Sequence, residues 1–391
     1  TGLSQRMYDA ERALAVGYAT DADSSSLFVD ILSAGEVINV SACGSANADV
    51  LTVDIFDPTG SSVFASAQTL DDGSGVSPNG GLIDCADAMS APLTNPLRYT
   101  TTQSGTYRIL LQNTSFGSTS NNSLFERYDV TVTANDTIDP DPTAAGGRLW
   151  SYSWNMRASA FSEAESTDAD LYALVPGGRP NTNYIWQLDL NNFAGFAYNI
   201  IANDIGVDAP SSGYSTPTSG NSATYRYSVY LGVPVIADPQ PTEPPIISNL
   251  RFIDSDGVDS GISPGVIGVQ DSGTFEFDSD VAGTYAVVVD IGQNGSFGDA
   301  GDLFLLGPAV AGFNSVFWDG TDANGNVLPV GIYNARISVR MGEYHFIAND
   351  AETSGGPSED GLTIFLSDQA GNLTNTQVYC CLLYTSPSPR D

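Results

Sequence analysis

The feature that most constrains this chain is its punctuation: short apolar-alternating runs, each closed within a few residues by Gly, Asp, Asn, Ser or Pro. Leu51-Thr52-Val53-Asp54-Ile55-Phe56 alternates at period two, and Asp57-Pro58-Thr59-Gly60 turns the chain immediately after it. Runs over 27–32, 37–42, 107–112 and 128–132 read the same way. Only residues 5–16 carry a helical period, with Met7, Ala10 and Leu14 at i, i+3 and i+7, and a helix is expected there. The fold class that follows is all-β, as tandem β-sandwich modules of Ig-like and jelly-roll-like type with a Pro-rich linker.

Charge narrows the function classes. Among 391 residues stand 46 acids and 13 bases, a formal charge of −33, with no lysine at all. Aspartate outnumbers glutamate 36 to 10, which suits turns, where a short carboxylate caps its own backbone. So negative a field repels nucleic acid and anionic membrane surfaces. No apolar run is long enough for a membrane span. One histidine, His345, leaves little scope for histidine-based metal centres or a Ser-His-Asp triad.

Two breaks divide the chain. Asp136–Thr143 is a polar connector, and Pro234–Pro245 holds five prolines in twelve residues, the composition of an extended, semi-rigid spacer. Three modules are expected, at 21–135, 145–233 and 246–379, after a lead-in over 1–20. The terminal run Cys381–Asp391 resembles translated sequencing-library adapter and is set aside, with Cys380 doubtful beside it. The expectation is therefore an internal piece of a longer gene product.

Cys43 and Cys85 both fall in the first module, with no histidine near enough for a zinc site. Two readings stand, a disulfide or a pair of buried thiols. The disulfide implies an oxidising compartment, and closing its ~40-residue loop is worth roughly 4 kcal/mol. The succession Gly35–Val40, Leu51–Gly60 and Ser104–Asn113 resembles the bacterial pre-peptidase C-terminal domain, a small sandwich appended to secreted enzymes and surface proteins. The acidic insertion Asp71–Asp87 departs from its compact pattern.

In the middle module Trp150-Ser151-Tyr152-Ser153-Trp154 sets three aromatics at alternate positions, hence on one strand face. Such a row stacks on sugar rings or fills a sandwich core, and the core is the expected role.

The stretch Trp318-Asp319-Gly320-Thr321-Asp322-Ala323-Asn324-Gly325-Asn326-Val327-Leu328-Pro329-Val330-Gly331-Ile332-Tyr333 closely resembles the Ig-like module of flagellar hook-cap proteins. Gly283-Thr284-Tyr285 before the apolar run 286–289 fits the same module, whose role in the family is structural. Asp290–Asp302 looks like a calcium loop, with Asp290, Asn294, Ser296, Asp299 and Asp302 as ligands, although Gly301 stands where an EF-hand has its bidentate glutamate. Asp254, Asp256 and Asp259 form a second acidic cluster of the same style. Both sites are equally readable as solvated turns.

No G-x-S-x-G elbow, H-E-x-x-H, Walker A or Rossmann glycine pattern occurs, while 46 acids produce by chance many carboxylate pairs of the kind glycoside hydrolysis uses. Ser354-Gly355-Gly356-Pro357 echoes the serine motif of chymotrypsin-like proteases, but Thr353 replaces its aspartate and His345 lies too close. Were His345 to line a cleft, Glu343 and Asp350 would be its partners, but 342–346 is expected to be a terminal strand of the Ig-like module. The reading is a non-catalytic extracellular or cell-surface segment, structural or adhesive, meeting other surface proteins or glycans, with calcium as cofactor. The alternative is the accessory region of a secreted hydrolase whose catalytic domain lies elsewhere.

Overall fold

The computed structural model describes residues 13–15, 26–44, 51–70, 96–113, 124–134, 145–157, 167–194, 197–204, 226–254, 272–329, 331–349, 353–354 and 362–375. Among these every regular element is a β-strand and every pairing is antiparallel.

Two large sheets form the main body. One runs β21 (His345–Asn349), β13 (Ala197–Asn203), β10 (Ser153–Arg157), β1 (Ala13–Ala15), β8 (Leu124–Ala134), β3 (Glu36–Gly44), β6 (Leu97–Thr100). The other runs β24 (Leu373–Asn375), β23 (Leu362–Ser367), β12 (Asn183–Ala194), β11 (Thr167–Pro176), β14 (Ser228–Tyr230), β9 (Leu149–Ser151), β2 (Ser26–Ile31), β7 (Gly105–Asn113), β4 (Leu51–Phe56), β5 (Gln68–Thr69), with β22 (Thr353–Ser354) beside β12. The period-two pattern explains the layering. Leu27, Val29, Val53, Ile55, Ile109 and Leu171 face inward and meet Ile38, Val40, Val130, Trp154 and Ile200 of the other sheet in one continuous core.

That core crosses the break at 136–143. β9 pairs with β2 on one side and β14 on the other, and β1 pairs with both β8 and β10. The segments 21–135 and 145–233, expected as separate modules, thus share both sheets and one interior. Ala13–Ala15 is strand where a helix was expected. Pairing on both edges outweighs a weak helical period there, and residues 5–12 lie outside the described residues.

Residues 247–340 form a smaller sandwich of two three-stranded sheets. One is β15 (Ile247–Asp254), β16 (Gly273–Ser279), β19 (Gly312–Trp318); the other is β18 (Leu303–Ala309), β17 (Gly283–Asp290), β20 (Asn334–Arg340). Phe275, Phe277, Val287, Val289, Val316 and Trp318 make its core. The expected module reached residue 379, but 345–375 pair elsewhere: β21 with β13, and β23 with β12. The smaller sandwich is an insertion between β14 and β21.

One turn recurs in both bodies. In Asp322–Asn326 and Asp368–Asn372 the aspartate Oδ1 accepts the amides two and four residues on, the asparagine Nδ2 donates to Oδ2, and glycine takes positive φ (Gly325 78°, Gly371 82°). Asp57–Ser61 repeats the backbone of this turn with Gly60 at φ 83°. Only glycine holds that conformation cheaply.

Candidate functional site

Strand directions give the inserted sandwich two poles. At the inner pole lie Ile246, the 279–283 connection and Arg340-Met341, the two ends where the chain enters and leaves. The β11–β12 turn of the main body meets this pole. Arg179 donates to Glu243 O and Pro244 O and bonds Asp280 at 2.9 Å. Gly178, at φ 79°, sits so close that an added Cβ would lie 2.8 Å from Ala282 O. The Pro-rich segment is no free spacer. Asn183 N donates to Pro239 O, Asn183 Nδ2 to Asp238, Gln240 Nε2 to Ser367 O and Gln369 Nε2 to Ala237 O.

The outer pole collects the predicted ligands. Asp254 ends β15, Asp290 ends β17, and Asp302 precedes β18, each buried (5%, 0% and 4% exposed). Asp290 accepts the amides of Asn294 and Gly295; Asp302 accepts those of Gly298 and Asp299. Asn294 Nδ2 and Ser296 Oγ both donate to Asp299. The loop therefore closes through its own amides, as aspartate-rich turns do. Among the described residues no three His, Cys, Asp or Glu side chains are grouped to hold a metal. Asp256 and Asp259 lie outside the described residues. So does Cys85, while of Cys43 only the backbone is described, opposite Arg127 on β8.

The histidine sits at the far end of β13. His345 Nε2 meets Glu343 Oε1 at 3.0 Å, and Tyr227 Oη donates to Glu343 O. Burial pushes the Tyr227 phenol well above its usual range, with the Asp204 and Glu343 carboxylates adding to it and Arg226 opposing. Asp350 lies outside the described residues, and Ser354 pairs with Phe193 in β22.

A feature not legible in the sequence lies on the outer face of the large sheet. Cross-strand register aligns Phe56, Arg108, Phe28, Trp150, Tyr230, Tyr172, Gln187 and Phe365 in one row across eight strands. Phe28 stacks on Trp150 with centroids 4.2 Å apart, and Arg108 lies over Phe56 at 4.1 Å. The neighbouring row is acidic. Asp30 accepts from Tyr230 Oη at 2.8 Å, and Asp170 accepts from Gln187 Nε2 at 2.8 Å. Burial, then the Asp170 carboxylate, pushes the Tyr172 phenol up to about 12; burial and Asp30 raise Tyr230 further. The middle of the row is packed, with Phe28, Trp150 and Tyr230 buried, while Phe56, Arg108, Tyr172 and Phe365 are half-buried. The Trp150–Trp154 stretch does not keep one face. The chain crosses between sheets at Tyr152, so Trp150 joins the outer row while Trp154, 1% exposed, enters the core and donates to Val229 O. No spacing rule reveals the row, because its members lie as far apart in the chain as Phe28 and Phe365.

What fold and sites define is a multi-module all-β protein. No helix among the described residues is long and apolar enough to cross a membrane. No protein-family model matches the chain, and no curated protein matches it. Among solved structures, a DUF4785 family protein from Legionella pneumophila is similar over 94% of this chain and 89% of its own, at 10% identity and a TM-score of 0.17. The tandem CBM22-1–CBM22-2 domains of Paenibacillus barcinonensis Xyn10C are similar over 84% of this chain and 78% of theirs, at 8% identity and a TM-score of 0.13. At such TM-scores neither likeness bears on function.

Proposed function

We propose that this chain is a non-catalytic segment of an extracellular or cell-surface protein, in which the broad sandwich holds the smaller one out and presents it to other surface proteins or glycans. The observation that carries this is the insertion itself. Both connections of the smaller sandwich leave from one pole, and Gly178 and Arg179 clasp that pole. Among the described residues the opposite pole carries Ile332 85% and Phe317 65% exposed, while Ile246 at the anchoring pole is 62% exposed. Large exposed apolar groups away from the anchoring end suit a contact surface.

A role without chemistry is supported by the commitments of the titratable groups. His345 is bonded to Glu343, and burial keeps the phenols of Tyr227 and Tyr230 protonated. Calcium at the outer pole belongs to the same reading, resting on the aspartates buried at that pole, Asp254, Asp290 and Asp302, of which Asp290 and Asp302 also accept amides of their own loop. The compartment rests on the Cys43–Cys85 bridge, which a non-reducing peptide map tests directly.

The presenting role is tested by electron–electron double resonance between spin labels at the exposed Ala65 and Ser315. One narrow distance distribution is expected in the full chain. A broad distribution, as for a domain on a loose tether, overturns it.

A further inference from the structure

Read along the chain as six strands A to F, the inserted sandwich has sheets A-B-E and D-C-F. Immunoglobulin-type sandwiches set a seventh strand, G, beside F. Here the chain that follows F leaves for the main body, where β21 pairs with β13 over five positions. Among the described residues β20 pairs with β17 alone. Its other edge, among the described residues, carries backbone donors and acceptors without a ladder, a template for another strand.

The side chains of β20 show what that strand must look like. Ala335, Ile337 and Val339 share the inward parity, since they oppose Val289, Val287 and Tyr285 of the core. Along this series burial deepens from exposed Ala335 through half-buried Ile337 to Val339 at 8%. The core is thus uncovered toward one end of the edge. On the outward parity stand Arg336 and Arg340, both exposed, with Ser338 between them; Arg336 also donates to Phe297 O at 3.4 Å and lies over the Phe297 ring at 5.0 Å. In a chain of net charge −33 with only 13 basic residues, two arginines on one strand face make a local cationic strip. They stand four residues apart, about 13 Å along the strand.

We propose that the free edge of β20 receives an extended segment of another protein as an antiparallel seventh strand, with apolar and acidic side chains in alternation. Residues directly opposite in an antiparallel pair share a face, so apolar side chains fall against Ala335, Ile337 and Val339 and carboxylates against Arg336 and Arg340. Ladder hydrogen bonds supply affinity and alternate side chains supply selectivity. A second copy of this chain is the poorer occupant: its β20 would bring the same arginines, and its total charge of −33 repels. The inference rests on the presenting role proposed above and names its partner.

The test uses the full chain and a fluorescent peptide with the core Asp-Val-Thr-Val-Asp, followed by anisotropy and by amide exchange over 334–340. Binding with slowed exchange in β20 is expected, falling as salt rises. The double change Arg336→Glu and Arg340→Glu lies on exposed side chains, and its melting curve is recorded because Arg336 gives up its contact with Phe297. It should weaken the acidic peptide about tenfold and favour the version with Lys in place of both Asp. Arg340→Glu alone should weaken the same peptide in the same direction. Absence of binding means the arginines merely blunt the edge, which overturns the inference. Binding that ignores the charge exchange, or a sedimentation dimer abolished by the same double change, overturns it as well. A narrow Ala65–Ser315 distance with an inert edge removes this inference alone. A broad distance removes the presenting role.

Discussion

Tyr230 Oη donates to Asp30 Oδ2 at 2.8 Å, joining strands 200 residues apart in the chain. Asp30 is 3% exposed and Tyr230 1%, and Asp30 Oδ1 accepts in turn from Thr106. A few residues away Arg148 donates to Asp30 O and pairs with Glu36 at 3.1 Å. These bonds stitch the 21–135 and 145–233 segments along the face opposite their common core.

Tyr230→Phe should therefore cost about 1–3 kcal/mol, because a buried carboxylate oxygen loses its donor while the ring still fills its place. Denaturant unfolding followed by near- and far-ultraviolet dichroism checks this. The step that Tyr230→Phe shifts should be one transition of the main body seen by both signals, since one core serves both segments. Separate transitions for the two segments would contradict the shared interior.

Gly178→Ala should loosen the junction without unfolding either body. Its positive φ strains any other residue, and the new methyl meets Ala282 O and Met341. The Arg179–Asp280 pair alone should matter less, because partly exposed ion pairs are worth about 0–1 kcal/mol. The expected outcome is a broader Ala65–Ser315 distance distribution with unchanged melting of both sandwiches.

Acid should destabilise the chain through its turns. Hydrogen bonds from Asn326 hold the Asp322 carboxyl below its usual range, those from Asn372 do the same for Asp368, and those from Thr59 and Ser61 for Asp57. A carboxyl lowered on folding contributes stability above its unfolded value, about 3.8, and loses it as pH falls through the folded value. Melting temperature should be flat from pH 7 to about 5 and drop below 4. Asparagine at 57, 322 and 368, which keeps the acceptor oxygen, should flatten that drop.

Calcium should raise the melting temperature of the inserted sandwich beyond what ionic-strength-matched magnesium does. At tenfold excess over a millimolar-range dissociation constant the gain is about 1.4 kcal/mol. Asp290→Ala should abolish the difference. With chelator present it should still cost about 1–3 kcal/mol, because the Asn294 and Gly295 amides lose their acceptor. Equal effects of the two cations would leave only screening, and the loop would then be an ordinary self-capped turn.

Local signals were legible where local physics decides. Leu51–Phe56 is a strand because its alternation buries Val53 and Ile55, and Asp57 and Asp322 close turns through bonds that span no more than four residues. The Gly283–Asp290 strand likewise surrounds the 286–289 run read from the sequence. Composition by itself determined the class: all-β, turn-rich, acidic, with its apolar residues in alternating runs.

Partnership was decided only by the tertiary structure. Residues 342–346 read as a closing strand for the sandwich just before them, yet the strand found there, His345–Asn349, pairs with β13, where Ile347 becomes buried. Trp150 and Trp154 share a parity in the sequence but not a face, because the chain changes sheets at Tyr152. A period-two pattern states which side chains point the same way and is silent about the strand lying alongside. Edge hydrogen bonds are equivalent between any two extended segments, so the choice falls to the fit of whole cores, which no window of sequence contains.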